Sequence, residues 1–169
     1  MKSFHVVASV AVALLVSGVA AVRAQQQQPV ERDAAWHNEQ ALYLLNLKSE
    51  QGWASTASGL RYRRVKEGPG GAKPSPTDTV TIHYVGRLVD GSEFDSSVAR
   101  GEPATFPLPR LIKGWQEGVP LMSVGDTYEF AIPYPLAYGA KGKGPIPGGA
   151  TLLFTIELIA IPPGTPEQG

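Results

Sequence analysis

The chain has 169 residues, 15 Lys and Arg against 15 Asp and Glu, and no cysteine. No disulfide can staple it and no lipid-modified cysteine can begin it, so stability has to come from a buried core, for which this length suffices. The even charge balance gives no reason to expect nucleic acid or an anionic membrane surface as a partner.

Residues 1–24 read as a secretory signal. Lys2 supplies the positive start, Val6 to Ala21 is almost wholly apolar, and Val22-Arg23-Ala24 offers small residues for cleavage after Ala24. An uncleaved anchor is the competing reading, but the apolar run is short for a membrane span and leads into Gln25 to Gln28 instead of a basic stop-transfer cluster. Loss of residues 1–24 takes Lys2 and Arg23 with it and leaves 145 residues with 13 basic and 15 acidic side chains. The expectation is an exported protein, periplasmic in a Gram-negative cell.

Asp33 is placed to cap a helix running to about Glu50, with Trp36, Gln40, Tyr43, Leu44 and Leu47 on one stripe and Gly52 as its stop. Two readings of residues 34–50 stay open: the stripe packs on the neighbouring domain, or it pairs with a second copy to form a homodimer. From Leu60 the apolar period changes to two. Leu60 and Tyr62, then Val80, Ile82 and Tyr84, then Tyr128, Phe130 and Ile132, then Leu152, Phe154, Ile156 and Leu158 each mark one face of a strand. Turns are expected at Gly68 to Gly71 and at Asp90-Gly91, and the glycine- and proline-rich run from Gly142 to Gly149 cannot be regular structure. Leu111, Ile112, Trp115 and Val119 fit about two helical turns with one apolar side. An antiparallel sheet with one short helix laid on its face buries all of these surfaces, which makes the class α+β with an N-terminal helical extension.

Beyond the leader the histidines are His37 and His83, and neither has a partner at metal-ligand spacing, so no metal is expected. A Gly-x-Ser-x-Gly elbow is missing, and Gly139-Ala140-Lys141-Gly142-Lys143-Gly144 lacks the Gly-Lys-Ser/Thr ending of a phosphate cradle. What remains is an apolar and aromatic set with one acid: Tyr84, Phe94, Asp95, Ile112, Trp115, Tyr138 and Phe154. Taken singly, each aromatic reads as core.

Order and spacing change that. The run Val89-Asp90-Gly91-Ser92-Glu93-Phe94-Asp95-Ser96-Ser97, then Ile112-Lys113-Gly114-Trp115-Gln116-Glu117-Gly118, then Tyr138-Gly139-Ala140 closely resembles the FKBP-type peptidyl-prolyl isomerases, over roughly Gly68 to Ile161. The resemblance implies a strongly twisted antiparallel sheet wrapped around one short helix, with residues 1–24 a signal peptide, 25–58 a Gln-rich segment and helix, 59–163 the isomerase domain and 164–169 a tail. It implies a proline-peptide pocket with Trp115 as floor, Tyr84, Phe94 and Phe154 as walls, the Ile112 N–H as donor to the substrate carbonyl region, and Asp95 and Tyr138 as polar rim. Leu111 stands where the family commonly has Val, Ile146 where it has an apolar loop residue, and Arg100 where it often has a basic partner for the acid, so these three are expected to contact substrate. No cofactor is implied. The implied partners are proline-containing unfolded or nascent exported polypeptides and the macrolides tacrolimus and rapamycin. Some exported members also dimerise, through much longer N-terminal helices. Two departures stand out: the segment from Phe106 to Leu111 is about two residues short, and Ala104 replaces an aromatic wall, which predicts a pocket wider on that side.

The chemistry fits an apolar site. Rotation about a Xaa-Pro bond faces a barrier of roughly 20 kcal/mol set by the partial double bond, and no proton need move. The planar amide is more charge-separated than the twisted one, so water favours the ground state and an apolar pocket withdraws that help. The runner-up reading is a non-enzymatic chaperone or peptide-binding module on the same fold; a β-domain for carbohydrate or adhesion stands third.

Overall fold

The computed structural model describes residues 34–163, so the leader, the Asp33 cap and the tail 164–169 fall outside the described residues. Among the described residues no helix is long and apolar enough to cross a membrane.

Helix α1 covers Ala34–Leu45. It ends earlier than the apolar spacing suggests. Lys48 is extended at φ −102° and ψ 152°, and a separate 3-10 turn, Ser49–Gln51, is closed by Gly52 at φ 83°. Gly52, expected to stop the helix, instead closes that turn. The stripe itself holds: Trp36, Tyr43, Leu44 and Leu47 are half-buried and Gln40 is buried, whereas Leu42 and Leu45 are exposed. Gln40 Oε1 accepts the Thr151 backbone N–H at 3.0 Å, and Trp36 packs on the core.

Seven strands follow: β1 Ala54–Ser55, β2 Arg61–Lys66, β3 Thr79–Arg87, β4 Glu93–Ser96, β5 Ala104–Pro107, β6 Thr127–Ile132 and β7 Leu152–Ala160. Every pairing is antiparallel, in the order β1-β2-β6-β7-β3-β4, with β5 also on β3. The four strands read from the period-two pattern are β2, β3, β6 and β7. The short β1, β4 and β5 have too few residues to show alternation.

Strands β4 and β5 share one edge of β3. Val85 to Arg87 pair with β4, Thr79 to Ile82 pair with β5, and the one-turn helix α2, Ser97–Arg100, interrupts the edge between them. Ser96 caps α2 by accepting the Ala99 N–H at 3.0 Å, and Gly101 closes it at φ 79°. That interruption lets Asp95 and Arg100 reach the same strand position, Tyr84.

The inner face carries the core. Val80, Ile82, Leu152, Ile156, Leu158 and Ile132 are fully buried, and registers such as Phe130 opposite Phe154 and Tyr84 opposite Ile156 place them on one surface. Helix α3, Lys113–Gly118, lies across it. Its glycines permit the close approach: a Cβ on Gly114 would stand 2.4 Å from Ile132 Cγ2, and one on Gly118 2.6 Å from Phe130 Cε1. Trp115, between them, is the large side chain this helix commits to the sheet.

Candidate active site

At one end of the α3-covered face lies a cavity of about 270 Å³ lined by Tyr84, Phe94, Asp95, Phe106, Arg110, Leu111, Ile112, Trp115, Tyr138, Lys143 and Phe154. All seven central residues read from the sequence meet there, and so does Leu111. They arrive from β3, β4, β7, α3 and two loops, so no local stretch of chain could have built the site.

Trp115 is buried among the cavity's other rings. Its ring meets Phe154 at 5.0 Å and 85°, and Tyr84 at 5.2 Å and 79°, both edge to face, which is the arrangement ring quadrupoles favour. Phe94 stands against Phe154 at 5.6 Å and 87°. The indole Nε1 is buried and has no hydrogen-bond partner among the described residues, so the cavity keeps an unspent donor in an apolar setting.

Gly86 explains how the two walls come so close. It lies on β3 opposite Phe154 of β7 and Asp95 of β4, and a Cβ there would stand 2.7 Å from the Phe94 ring and 2.8 Å from the Phe154 ring. Only a residue without a side chain lets both rings sit over the strand.

Asp95 is the centre of one connected polar group. The Tyr84 hydroxyl donates to Asp95 Oδ2, Arg100 Nη1 donates to Asp95 Oδ1, and Arg100 Nη2 donates to the Tyr84 oxygen at 3.0 Å. Burial alone pushes the Asp95 carboxyl up, but the bonds from Tyr84 and Arg100 outweigh it and hold the group below the ordinary carboxylate value. Burial, reinforced by that carboxylate, raises the Tyr84 phenol, and burial with the same negative charge nearby raises Tyr138. Both phenols therefore stay protonated and Asp95 stays ionised at neutral pH. Ser97, fully buried, anchors the strand beneath by accepting the Tyr84 N–H at 2.8 Å.

Ile112 precedes α3 in an extended conformation, φ −60° and ψ 150°, and its N–H makes no hydrogen bond among the described residues. Gln116 fixes this approach by donating to the Leu111 and Pro109 carbonyls at 2.7 and 3.3 Å. Tyr138 sits in a loop closed by bonds from the Gly139 N–H to the Tyr134 carbonyl and from the Gly149 N–H to the Gly139 carbonyl, each 2.9 Å.

Two residues expected to contact substrate do not line the cavity. Ile146 is buried in the core, turned there by the Lys143–Ile146 bridge, and does not line the cavity. Arg100 stands outside it and acts on Asp95 and Tyr84. Phe106 was missed as a wall. Ala104 is half-buried over Ile82, and Phe106, two residues on and so on the same face, lines the cavity at 6.3 Å from both Trp115 and Tyr84. The side expected to be wider thus carries a ring.

Residues 70–159 match the model of the FKBP-type peptidyl-prolyl cis-trans isomerase family. The chain belongs to that family. It is similar to the FKBP-type peptidyl-prolyl cis-trans isomerase FkpA of Aeromonas hydrophila, 55% identical over 119 residues, covering 70% of this chain and 44% of the relative. The FKBP-type 22 kDa peptidyl-prolyl cis-trans isomerase of Escherichia coli K12 is 48% identical over 132 residues, 78% of this chain and 64% of that one. The chain thus spans about half to two thirds of the length of these relatives. Among solved structures, FkpA from Escherichia coli superposes with a TM-score of 0.76 at 38% identity, covering 87% of this chain and 69% of that chain. The α+β FKBP fold, with its N-terminal helix, is therefore the fold of this chain.

Proposed function

We propose that the protein accelerates cis-trans rotation about Xaa-Pro bonds in exported polypeptides and so assists their folding. The observation that carries this is the Trp115-floored aromatic cavity, in which charge is confined to the rim. A proline ring seated over Trp115, between Phe94, Phe106, Phe154 and Tyr84, loses water from its amide. The planar amide loses more solvation than the twisted one, so the barrier falls. The unbonded Ile112 N–H is the donor available to a substrate carbonyl, and the protonated Tyr138 hydroxyl is a second. Asp95 accepts no proton; its negative charge is fixed by Tyr84 and Arg100. A hundredfold to ten-thousandfold acceleration requires about 3–6 kcal/mol, which desolvation, one or two hydrogen bonds and shape together supply.

The test is exchange spectroscopy on short Xaa-Pro peptides with the intact protein. Faster exchange, suppressed by rapamycin or tacrolimus, is the expected result. Peptide binding with unchanged exchange would assign the fold to a non-enzymatic chaperone instead.

Export rests on the sequence of residues 1–24. The secreted form is expected to begin at Gln25, which N-terminal sequencing reads directly. For pairing through residues 34–50, the stripe centred on Gln40 is turned to its own domain, so the surface left to a second copy is the one bearing exposed Leu42 and Leu45. Sizing of Leu42→Lys beside the wild type tests it.

A further inference from the structure

The cavity mouth carries a charge pattern that rotation about an amide bond does not require. Two cationic side chains, Arg110 and Lys143, line it together with a single carboxylate, Asp95. Asp95 is already engaged by Tyr84 and Arg100. Neither lining cation takes part in an ion pair among the described residues. The Lys143 ammonium lies 5.5 Å from the centre of the Tyr138 ring, which keeps it beside the mouth.

The backbones bearing these cations are fixed. Arg110 closes the 3-10 turn Leu108–Arg110, in which the Leu111 N–H donates to the Leu108 carbonyl at 3.1 Å, and Gln116 clamps the carbonyls on either side of it. Lys143 sits in a reciprocal pair of backbone bonds with Ile146, both 2.9 Å. The low-dielectric aromatic side chains that line the cavity with them leave their field less screened at the mouth than at an open surface.

We infer that Arg110 and Lys143 are specificity-determining residues that select prolines flanked by an acidic residue, Asp or Glu beside the Xaa-Pro unit. This rests on the isomerase reading of the same cavity. An acidic flank gains attraction on docking and on leaving the planar amide alike, so the selection is expressed in KM and not in kcat. With Asp95 already neutralised by Arg100, a basic flank meets uncompensated like charge.

Exchange spectroscopy on two peptide series, with Glu, Gln or Lys either just before or just after the proline, tests it. The expected result is a kcat/KM for Glu over Gln of about threefold to tenfold in at least one series at low salt, with Lys below Gln. The ratio is expected to fall toward one in about 0.5 M salt. In an Arg110→Glu, Lys143→Glu double variant of unchanged melting temperature, the order of Glu and Lys peptides is expected to reverse. Equal values for Glu and Gln in both series, or a Glu preference that survives the double variant, would overturn the assignment while leaving isomerisation standing. Failure to accelerate even the Gln peptides would remove the isomerase reading itself and this inference with it.

Discussion

Tyr84 and Asp95 reach each other across the edge between β3 and β4, where the Tyr84 hydroxyl donates to Asp95 Oδ2 and Arg100 spans both. The acid thereby serves as an acceptor for a wall residue, which sets what its removal and its titration should do.

Asp95 is held below its ordinary value of 3.8, so its partnership stabilises the fold above that value and is lost as pH falls through the lowered folded value. The side chain is 44% exposed, so screening limits the effect to about 0.5–1 kcal/mol. Asp95→Asn is expected to lower the melting temperature at neutral pH and to match the wild type in strong acid. Melting curves against pH read this out. A deficit that is the same at every pH would show that the charge does not matter.

The same assignments give a flat rate profile. Asp95 is ionised and Tyr84 and Tyr138 are protonated across the neutral range, and no proton is transferred. Enzyme-dependent exchange should be constant from about pH 6 to about pH 9 within a factor of about two. A titrating step in that window would mean that an ionisable group takes part in the chemistry.

Gly86→Ala should injure the pocket through packing. Its Cβ would collide with Phe94 and Phe154 at 2.7 and 2.8 Å, so at least one ring must leave its place. Overpacking of this kind costs about 1–3 kcal/mol of stability. Turnover is expected to drop by about tenfold or more. Full activity at wild-type stability would mean the rings yield freely and their positions are not decisive.

Gln40→Ala separates the extension from the chemistry. It orphans the buried Thr151 N–H and should cost about 1–2 kcal/mol in denaturant titrations. Short-peptide turnover is expected to stay within twofold of wild type at about 25 °C, where the variant remains folded. A large rate loss in folded protein would tie α1 to the pocket.

The sheet was legible where strands are long and half-buried. Val80, Ile82 and Tyr84 alternate because β3 has a core face and an outer face, and the same holds for β6 and β7. β4 and β5 were not, because their pairing is fixed by the edge of β3 and not by their own four residues. In the site, Phe94, Trp115 and Phe154 could be named only from order and spacing across the chain, since each alone is an ordinary core aromatic. Ile146 falls outside the cavity lining for the opposite reason. An apolar residue in a glycine-rich loop gives no local sign of which way the loop turns, and the reciprocal bonds with Lys143 send it into the core. Arg110 carried no signal, because an exposed cation on a loop is usually just solvated, and Lys143 stood out only within the glycine-rich run weighed as a phosphate cradle.

The measurement closest to the central claim is Xaa-Pro exchange by Phe94→Ala set beside its melting temperature. Phe94 is only half-buried and packs edge-on against Phe154, so truncation should cost less stability than the 3–5 kcal/mol or so typical of a core Phe. If the wall acts by excluding water from the amide, turnover falls more than tenfold, about 1.4 kcal/mol or more, in protein that is still folded. A folded Phe94→Ala that turns over peptide as fast as the wild type would contradict the account.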